Sequence, residues 1–456
     1  MSIEEKNQAL IETRAKLGSS EAYKRLSALF DDGVFTELNA FAKSENGYAE
    51  VVAAHGFVDG MGVYAFAQNN EIDGGAMSMA QAAKICKVYE LALKTGEPVI
   101  AVYDSIGGRL SEGSSLLAAY GDIMKTANNL SGVVPQIAVV LGKCFGVQAL
   151  IAACADVVIM SESAELSVET SGADASADIN YKKGVAHILA KTNEEALEKA
   201  KELIAVLPSN NLSPACVAYD SICAEKEAAD SMTAVQAAKA VCDEGSAVEL
   251  QAGFGKSAVT TVATINGTTV GIVALEGDVL DGKSCSKAAR FIRFCDAFSM
   301  PVVTFLNAGR FECIKCAAKL TSAYAEATTA KISVITGDAF GAVYIAAAGT
   351  GAAADMTLAW TKASVSALTP EAAAVIMLGD DLGGRLSGSK DPKAERAAVV
   401  SQFKEETLTA VKAAEDGYVD DIITAAETRD RLCAAIDMLS NKRVSTLPKK
   451  HNNLYI

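Results

Sequence analysis

Histidine is scarce: His55, His187 and His451 are scattered through 456 residues and share no motif. No HExxH occurs, and no Ser or Cys stands in a nucleophile elbow, so neither a zinc protease nor a Ser-His-Asp hydrolase is indicated. Basic blocks are missing too. The 41 Lys and Arg face 56 Asp and Glu, for a net charge of −15. That balance argues against a nucleic-acid partner, which needs clustered cations, and favours solubility. Long apolar runs are absent: QIAVVLGKCFGVQALIAACADVVIM is broken at Gly142, Lys143, Gly146 and Gln148. It reads as strand, turn and buried helix, with no direct membrane insertion. The opening MSIEEKNQALIETRAKLG is charged and helix-like and lacks the apolar stretch of a signal peptide. A cytoplasmic location is expected. The eleven cysteines are expected to be mostly buried free thiols in a reducing compartment. Only Cys313 and Cys316 form a CxxC, half of a zinc site with no second pair to complete it, so no metal is expected.

What is present is a repeat. Residues 50–69 and 259–277 both alternate short apolar runs about a two-residue turn, Asp59-Gly60 and Asn266-Gly267, the signature of a hairpin. MAQAAKICKVYELALKTG and SKAARFIRFCDAFS follow, with apolar residues at helical spacing. Each ends before a proline, Pro98 or Pro301, that opens an apolar strand. A further helical stretch comes next, around Tyr120 and Tyr324. Both halves then run strand, Gly-containing turn, small-residue helix, Asp, strand. Five ordered coincidences point to duplication, and the alternation implies layered α/β domains with right-handed crossovers. Turn-forming residues at 207–215 suggest the join, and domains of 1–225 and 226–456 are expected. The closing PKKHNNLYI reads either as an ordered, partner-docking tail or as a frayed terminus.

The candidate chemistry sits in turns. Gly142–Val147 and Gly337–Ala342 each lead from a strand into a helix, where free amides and the helix dipole suit an oxyanion. Alternatively, the glycines only permit close packing. The loop Tyr103–Gly113 contains Gly107, Gly108 and Arg109 and could cradle an anion, or be a loop with an ordinary arginine. It is neither a Walker A loop nor a dinucleotide fingerprint. Gly74-Gly75-Ala76 is a second small-residue turn. Glu112, Asp156 and Asp355 are acid–base candidates that could equally cap helices or hold turns.

With AAKICKVYELALKTGEPVIAVYDS, SGVVPQIAVVLG, KKGVAHILA, VLPSNNL, KAARFIRFCDAF, AYAEAT, ADMTLAW, GYVDDIITAAETRDRL and KKHNN in order, the chain resembles the carboxyltransferase subunits of biotin-dependent acyl-CoA carboxylases and decarboxylases. The resemblance covers nearly the whole chain. It implies two tandem crotonase-like domains related by internal duplication and a hexamer-like assembly whose sites pair the N-domain of one subunit with the C-domain of another. It also implies biotin carried on a partner protein, and a CoA thioester as substrate. Gly146 and Val147, and Gly341 and Ala342, would then be the catalytic oxyanion turns. One would hold the thioester oxygen and the other the biotin ureido oxygen. Gly75, Ala76, Ser105, Gly107, Gly108 and Arg109 would bind substrate. The implied partners are a biotin carrier protein, a biotin carboxylase or membrane decarboxylase subunit, and further copies of this chain or a sister subunit.

The chain departs from that pattern. Val147 stands where a second glycine is common, Ile106 interrupts the Ser-Gly-Gly loop, and Gly-Ala-Val replaces Gly-Gly-Ala in the second turn. About a dozen residues of a glycine-rich loop are missing near 307–316, on the biotin side. Two alternatives follow from these departures. One is a non-catalytic paralogue serving as a structural or regulatory partner, with Val147, Ile106 or the shortened loop filling a pocket. The other is a biotin-free crotonase-type reaction with Glu112 as base.

Overall fold

The computed structural model describes residues 2–44, 47–48, 50–169, 174–213, 223–445 and 448. The terminal KKHNN and His451 lie outside them. The chain divides into two compact units, Met1–Cys216 and Val217–Ile456. The boundary of 225/226 read from the sequence lies nine residues past this division (225 − 216).

In the first unit, the strands of the main sheet are β1 (Phe35–Leu38), β2 (Val51–Val58), β3 (Met61–Gln68), β4 (Val99–Ser105), β5 (Gln136–Phe145), β6 (Val157–Ser161), β7 (Glu165–Ser167) and β8 (Ile188–Ala190). They form one sheet in the order β1-β2-β3-β4-β5-β6-β8, with β7 added beside the end of β5. The first two pairings are antiparallel and the rest parallel. Helices α1 (Met79–Thr95), α2 (Ser115–Asn129) and α3 (Val147–Ala153) connect the parallel strands.

The second unit repeats this with β9 (Val248–Leu250), β10 (Ala258–Ile265), β11 (Thr268–Leu280), β12 (Val302–Phe311), β13 (Lys331–Phe340), β14 (Met356–Trp360), β15 (Ser364–Ser366) and β16 (Asp421–Ile423). The order is β9-β10-β11-β12-β13-β14-β16, with β15 beside β13. Its connecting helices are α4 (Gly282–Ala297), α5 (Ile314–Glu326) and α6 (Gly341–Ala347). Beyond them α7 (Pro370–Gly388) and α8 (Pro392–Thr407) pack as a pair around Ala374, Phe403 and Leu408.

The duplication extends to single hydrogen bonds. Both residues of each hairpin turn have positive φ, 51° and 73° at Asp59 and Gly60, 50° and 76° at Asn266 and Gly267. That is the geometry which twists a hairpin correctly. A distant carboxylate then accepts both turn amides: Asp31 at 3.0 Å each, Asp243 at 3.0 and 2.7 Å. Asp156 accepts the Gln136 amide at 2.9 Å and Asp355 the Lys331 amide at 2.8 Å, so these aspartates hold strand starts. Each core fills the space between one sheet and its helices. Phe66, Ile85 and Val158 are buried in the first, Phe305, Leu358 and Trp360 in the second. The Trp360 indole N–H, which would otherwise be stranded, donates to Thr428 Oγ1 at 2.9 Å.

Candidate active site

The strand before each glycine turn is longer than its glycine suggested. β5 runs on through Gly142 because β7 pairs with Lys143–Phe145, and β13 runs on through Gly337 because β15 pairs with Asp338–Phe340. The ladder to the neighbouring strand shifts register at this bend, between Tyr103 and Ser105 in one unit and Leu306 and Ala308 in the other. A Cβ on Gly142 would overlap the Asp104 carboxylate, and one on Gly337 the Asn307 amide. Glycine is required there for close approach. The reversal comes only at Gly146 (φ 75°) and Gly341 (φ 48°), conformations that favour glycine.

After the reversal the chain enters α3 or α6 directly. The first-turn amides, at Val147 and Gln148 and at Gly341 and Ala342, are those a helix leaves without an intrahelical acceptor. Val147 and Ala342 are exposed, while Gln148 and Val343 behind them are buried. Each turn thus sets an exposed residue on a buried base at the start of its helix. Val147 and Ile106 are 36 and 48 % exposed, and Ile106 packs against Gly74, where a Cβ would meet it at 3.0 Å.

The sequence-predicted residues of the first unit do come together. Ile106 N–H donates to Gly74 O at 3.0 Å, Met77 N–H to Gly107 O at 2.8 Å and Arg109 N–H to Met77 O at 2.9 Å. This zips Gly74–Met77, with Gly75 and Ala76, alongside Ile106–Arg109. Gly75 cannot carry a side chain, since a Cβ would strike the Asp104 carbonyl. Gly107 lies against the turn, where a Cβ would stand 3.8 Å from Phe145 O. The Ser105 hydroxyl bonds the Gly107 backbone at 3.3 Å.

Arg109 differs from expectation. It is 4 % exposed and paired with Glu50 and, at 3.2 Å, with Asp73. Burial opposes its charge, and the hydrogen bonds it donates to Glu50 and Asp73, with their negative charge, more than offset this, raising its pKa. Its Nε and Nη2 are held by carboxylates of its own unit and brace the loop from behind, while its buried Nη1 has no hydrogen-bond partner among the described residues. These contacts favour a bracing role for Arg109 over an open anion cradle. Glu112 accepts the Met79 amide at 2.7 Å and lies 3.6 Å from Arg109. It thus helps to hold the start of α1, whose N-cap is Ser78, as the capping alternative expects.

Sequence reading missed the buried amides behind the first turn. Gln68 Nε2 donates to Gln81 Oε1 and Gln148 Oε1, both at 3.0 Å, and Gln68 Oε1 accepts the Asp104 amide at 3.2 Å. Gln148 Nε2 donates to Ser105 O at 2.9 Å. This network ties the first turn of α3 to the end of β4. The available signal was a polar residue inside each apolar run, read for Gln148 only as an interruption.

The second turn opens on a cavity of about 430 Å³, lined by Arg310, Phe311, Cys313, Phe340, Gly341 and Leu368 among others. A larger cavity, about 960 Å³, adjoins it and shares Gly309, Arg310, Phe340 and Thr369. Lys404 reaches from α8 to Asp338 at 2.7 Å and lies over the Phe340 ring. The short connection at 312–313 is closed by Glu312, which accepts the Gly282 amide at 2.9 Å.

The sequence matches the family model described as the carboxyl transferase domain over residues 14–454. The chain belongs to this family. It is 33% identical to the methylmalonyl-CoA decarboxylase subunit alpha of Veillonella parvula, over 97% of this chain and 94% of that one. It is 32% identical to the propionyl-CoA carboxylase carboxyltransferase subunit of Haloferax mediterranei, over 96% and 93%. Among solved structures it matches transcarboxylase 12S, described as a hexamer with hydrolysed methylmalonyl-coenzyme A bound, with a TM-score of 0.90. That match has 29% identity and covers 100% of this chain and 99% of that one. The fold is accordingly the duplicated crotonase-like one expected. Among the described residues no helix is long and apolar enough to cross a membrane.

Proposed function

We infer that this chain is a carboxyltransferase subunit that moves a carboxyl group between biotin and a small acyl-CoA. The observation that carries this reading is the pair of positive-φ glycine turns, each opening a helix, in a chain that matches the family from residue 14 to 454.

The first-turn amides of α3 hold the thioester oxygen and stabilise negative charge on it as the α-carbon loses its proton or its carboxylate. Gly75, Ala76, Ser105, Gly107 and Gly108 shape the thioester side, and Arg109 holds their loop in place. The cavity at Gly341-Ala342 suits a ureido ring, having apolar walls from Phe311, Phe340 and Leu368 and backbone amides at its base. Biotin, when bound, carries the carboxyl group and supplies the base for the α-proton. The amides at Gly341 and Ala342 hold its ureido oxygen and orient it. Fixed donors act on both sides, so no side-chain nucleophile is needed.

The biotin arrives on a carrier protein, with a biotin carboxylase or a membrane decarboxylase subunit completing the system. The chain works as a hexamer-type oligomer, of itself or with a sister subunit, in the cytoplasm. The working domain bounds are 1–225 and 226–456. The test is decarboxylation of malonyl-, methylmalonyl- and glutaconyl-CoA by the pure protein with and without free biotin. Biotin-dependent turnover supports the reading and ranks the acyl groups. Binding of CoA esters without turnover under any condition contradicts it for the isolated chain.

A further inference from the structure

The CxxC that no step above uses lies at the mouth of the second cavity. Cys313 is the N-cap of the thirteen-residue α5, and its Sγ accepts the Cys316 amide at 3.4 Å. Cys313 is exposed and lines the cavity with Gly341 and Ala342. Cys316, one turn on, is buried. Both are free thiols.

We propose that Cys313 is a reactive thiol that takes small disulfides, that Cys316 is its resolving partner, and that the disulfide they form restricts the cavity at Gly341-Ala342.

Two observations support this. The two residues sit within bridging distance, since Cys313 Sγ already touches the Cys316 backbone. Their environments are opposite: the hydrogen bonds from the Cys316 thiol and amide lower the Cys313 pKa against the opposing charge of Glu312, while burial raises that of Cys316 to about 11. A thiolate stabilised at a helix N-terminus is the form that attacks. The other exposed described cysteines, Cys154 and Cys223, are internal references on the same chain.

The chemistry balances. The Cys313 thiolate attacks one sulfur of R–S–S–R, forming a mixed disulfide and releasing RS⁻, which takes a proton from water. Cys316 loses its proton and displaces the second RS⁻, leaving the Cys313–Cys316 disulfide. The protein gives up two protons and two electrons, and the small disulfide becomes two thiols.

The test treats the full chain with glutathione disulfide at neutral pH, followed by acid quenching and peptide mass mapping. The wild type should lose two hydrogens in the Cys313–Cys316 peptide. Cys316→Ser should trap glutathione on Cys313, and Cys313→Ser should do neither, with circular dichroism checking that both variants fold. Cys313 should alkylate about 10-fold faster than Cys154 and Cys223. Equal rates, or a Cys285–Cys316 disulfide instead, overturn the assignment. The effect on the cavity rests on the carboxyltransferase reading. If decarboxylation falls on oxidation and returns with dithiothreitol, it stands. If the disulfide forms and turnover is unchanged, the cavity clause is wrong. If the disulfide forms in a chain that never turns over, the pair is established and the functional reading fails instead.

Discussion

The Asn307 side-chain oxygen accepts the Asp338 amide at 2.9 Å, fixing the bend of β13 that leads to Gly341. In the first unit Asp104 does the same for Lys143 at 3.3 Å, but it is buried and also accepts from Arg25 and Asn70, each at 2.7 Å. The two positions correspond, and their removal should differ. Asn307→Ala strands one amide and should cost about 1–3 kcal/mol. Asp104→Ala leaves the half-buried Arg25 without its carboxylate and strands the Lys143 amide, so it should cost more, up to about 3 kcal/mol or beyond. Urea unfolding of both variants checks the order, and an equal loss counts against the clamp.

Gly146→Ala and Gly341→Ala probe the turns themselves. Each forces a side chain into a positive-φ backbone, a strain of about 1–3 kcal/mol. At Gly341 the new Cβ also meets Ala367 O at 3.0 Å, whereas at Gly146 it meets nothing within 4 Å. Gly341→Ala should therefore be the less stable variant. If the amides are oxyanion donors, each change should lower kcat by about 100-fold or more in the fraction that stays folded. A fall in KM-dependent binding alone would leave the turns as packing devices.

Arg109→Ala should act on stability first. It leaves the buried Glu50 without its counter-charge, holding only the Ser44 and Ser78 hydroxyls, a loss of about 3 kcal/mol. Arg109→Lys keeps the charge without the forked geometry and should recover part of the stability. A variant of wild-type stability with only a raised KM would restore Arg109 to the substrate surface.

Lys287, at the position in α4 that Lys84 holds in α1, is 2 % exposed and donates to the carbonyls of Gln251 and Phe254. Burial pushes its pKa down to about 8, with Glu249 and Asp281 opposing. The unfolded value is about 10.4, so between about pH 8 and 10.4 the unfolded chain binds the extra proton. Stability from this group is lowest below pH 8 and rises through that window, by about 3 kcal/mol at most. The wild type should gain on Lys287→Met as pH rises from 7.5 to 10, measured by denaturant midpoints. A constant difference across that range would mean that Lys287 is not neutralised by burial.

The local features of the fold were legible in the sequence. Asp59-Gly60 and Asn266-Gly267 announce their turns because positive φ at both residues restricts what can stand there. Gly146 and Gly341 announce reversals for the same reason. The site's supports were not legible, because their partners lie far off in sequence. Arg109 looks like a surface arginine until Glu50 and Asp73 close over it. Gln148 looks like a break in an apolar run until Gln68, 80 residues away, supplies its partner. The strand continuing through Gly142 depends on β7, which follows it in the chain.

The most direct measurement of the central claim is label transfer from carboxyl-labelled methylmalonyl-CoA to free biotin, catalysed by the purified chain. The account predicts label in biotin, at a rate that Gly146→Ala and Gly341→Ala each suppress. Loss of the label as carbon dioxide at a rate indifferent to biotin would contradict it, and would point to a decarboxylation that uses only the first turn.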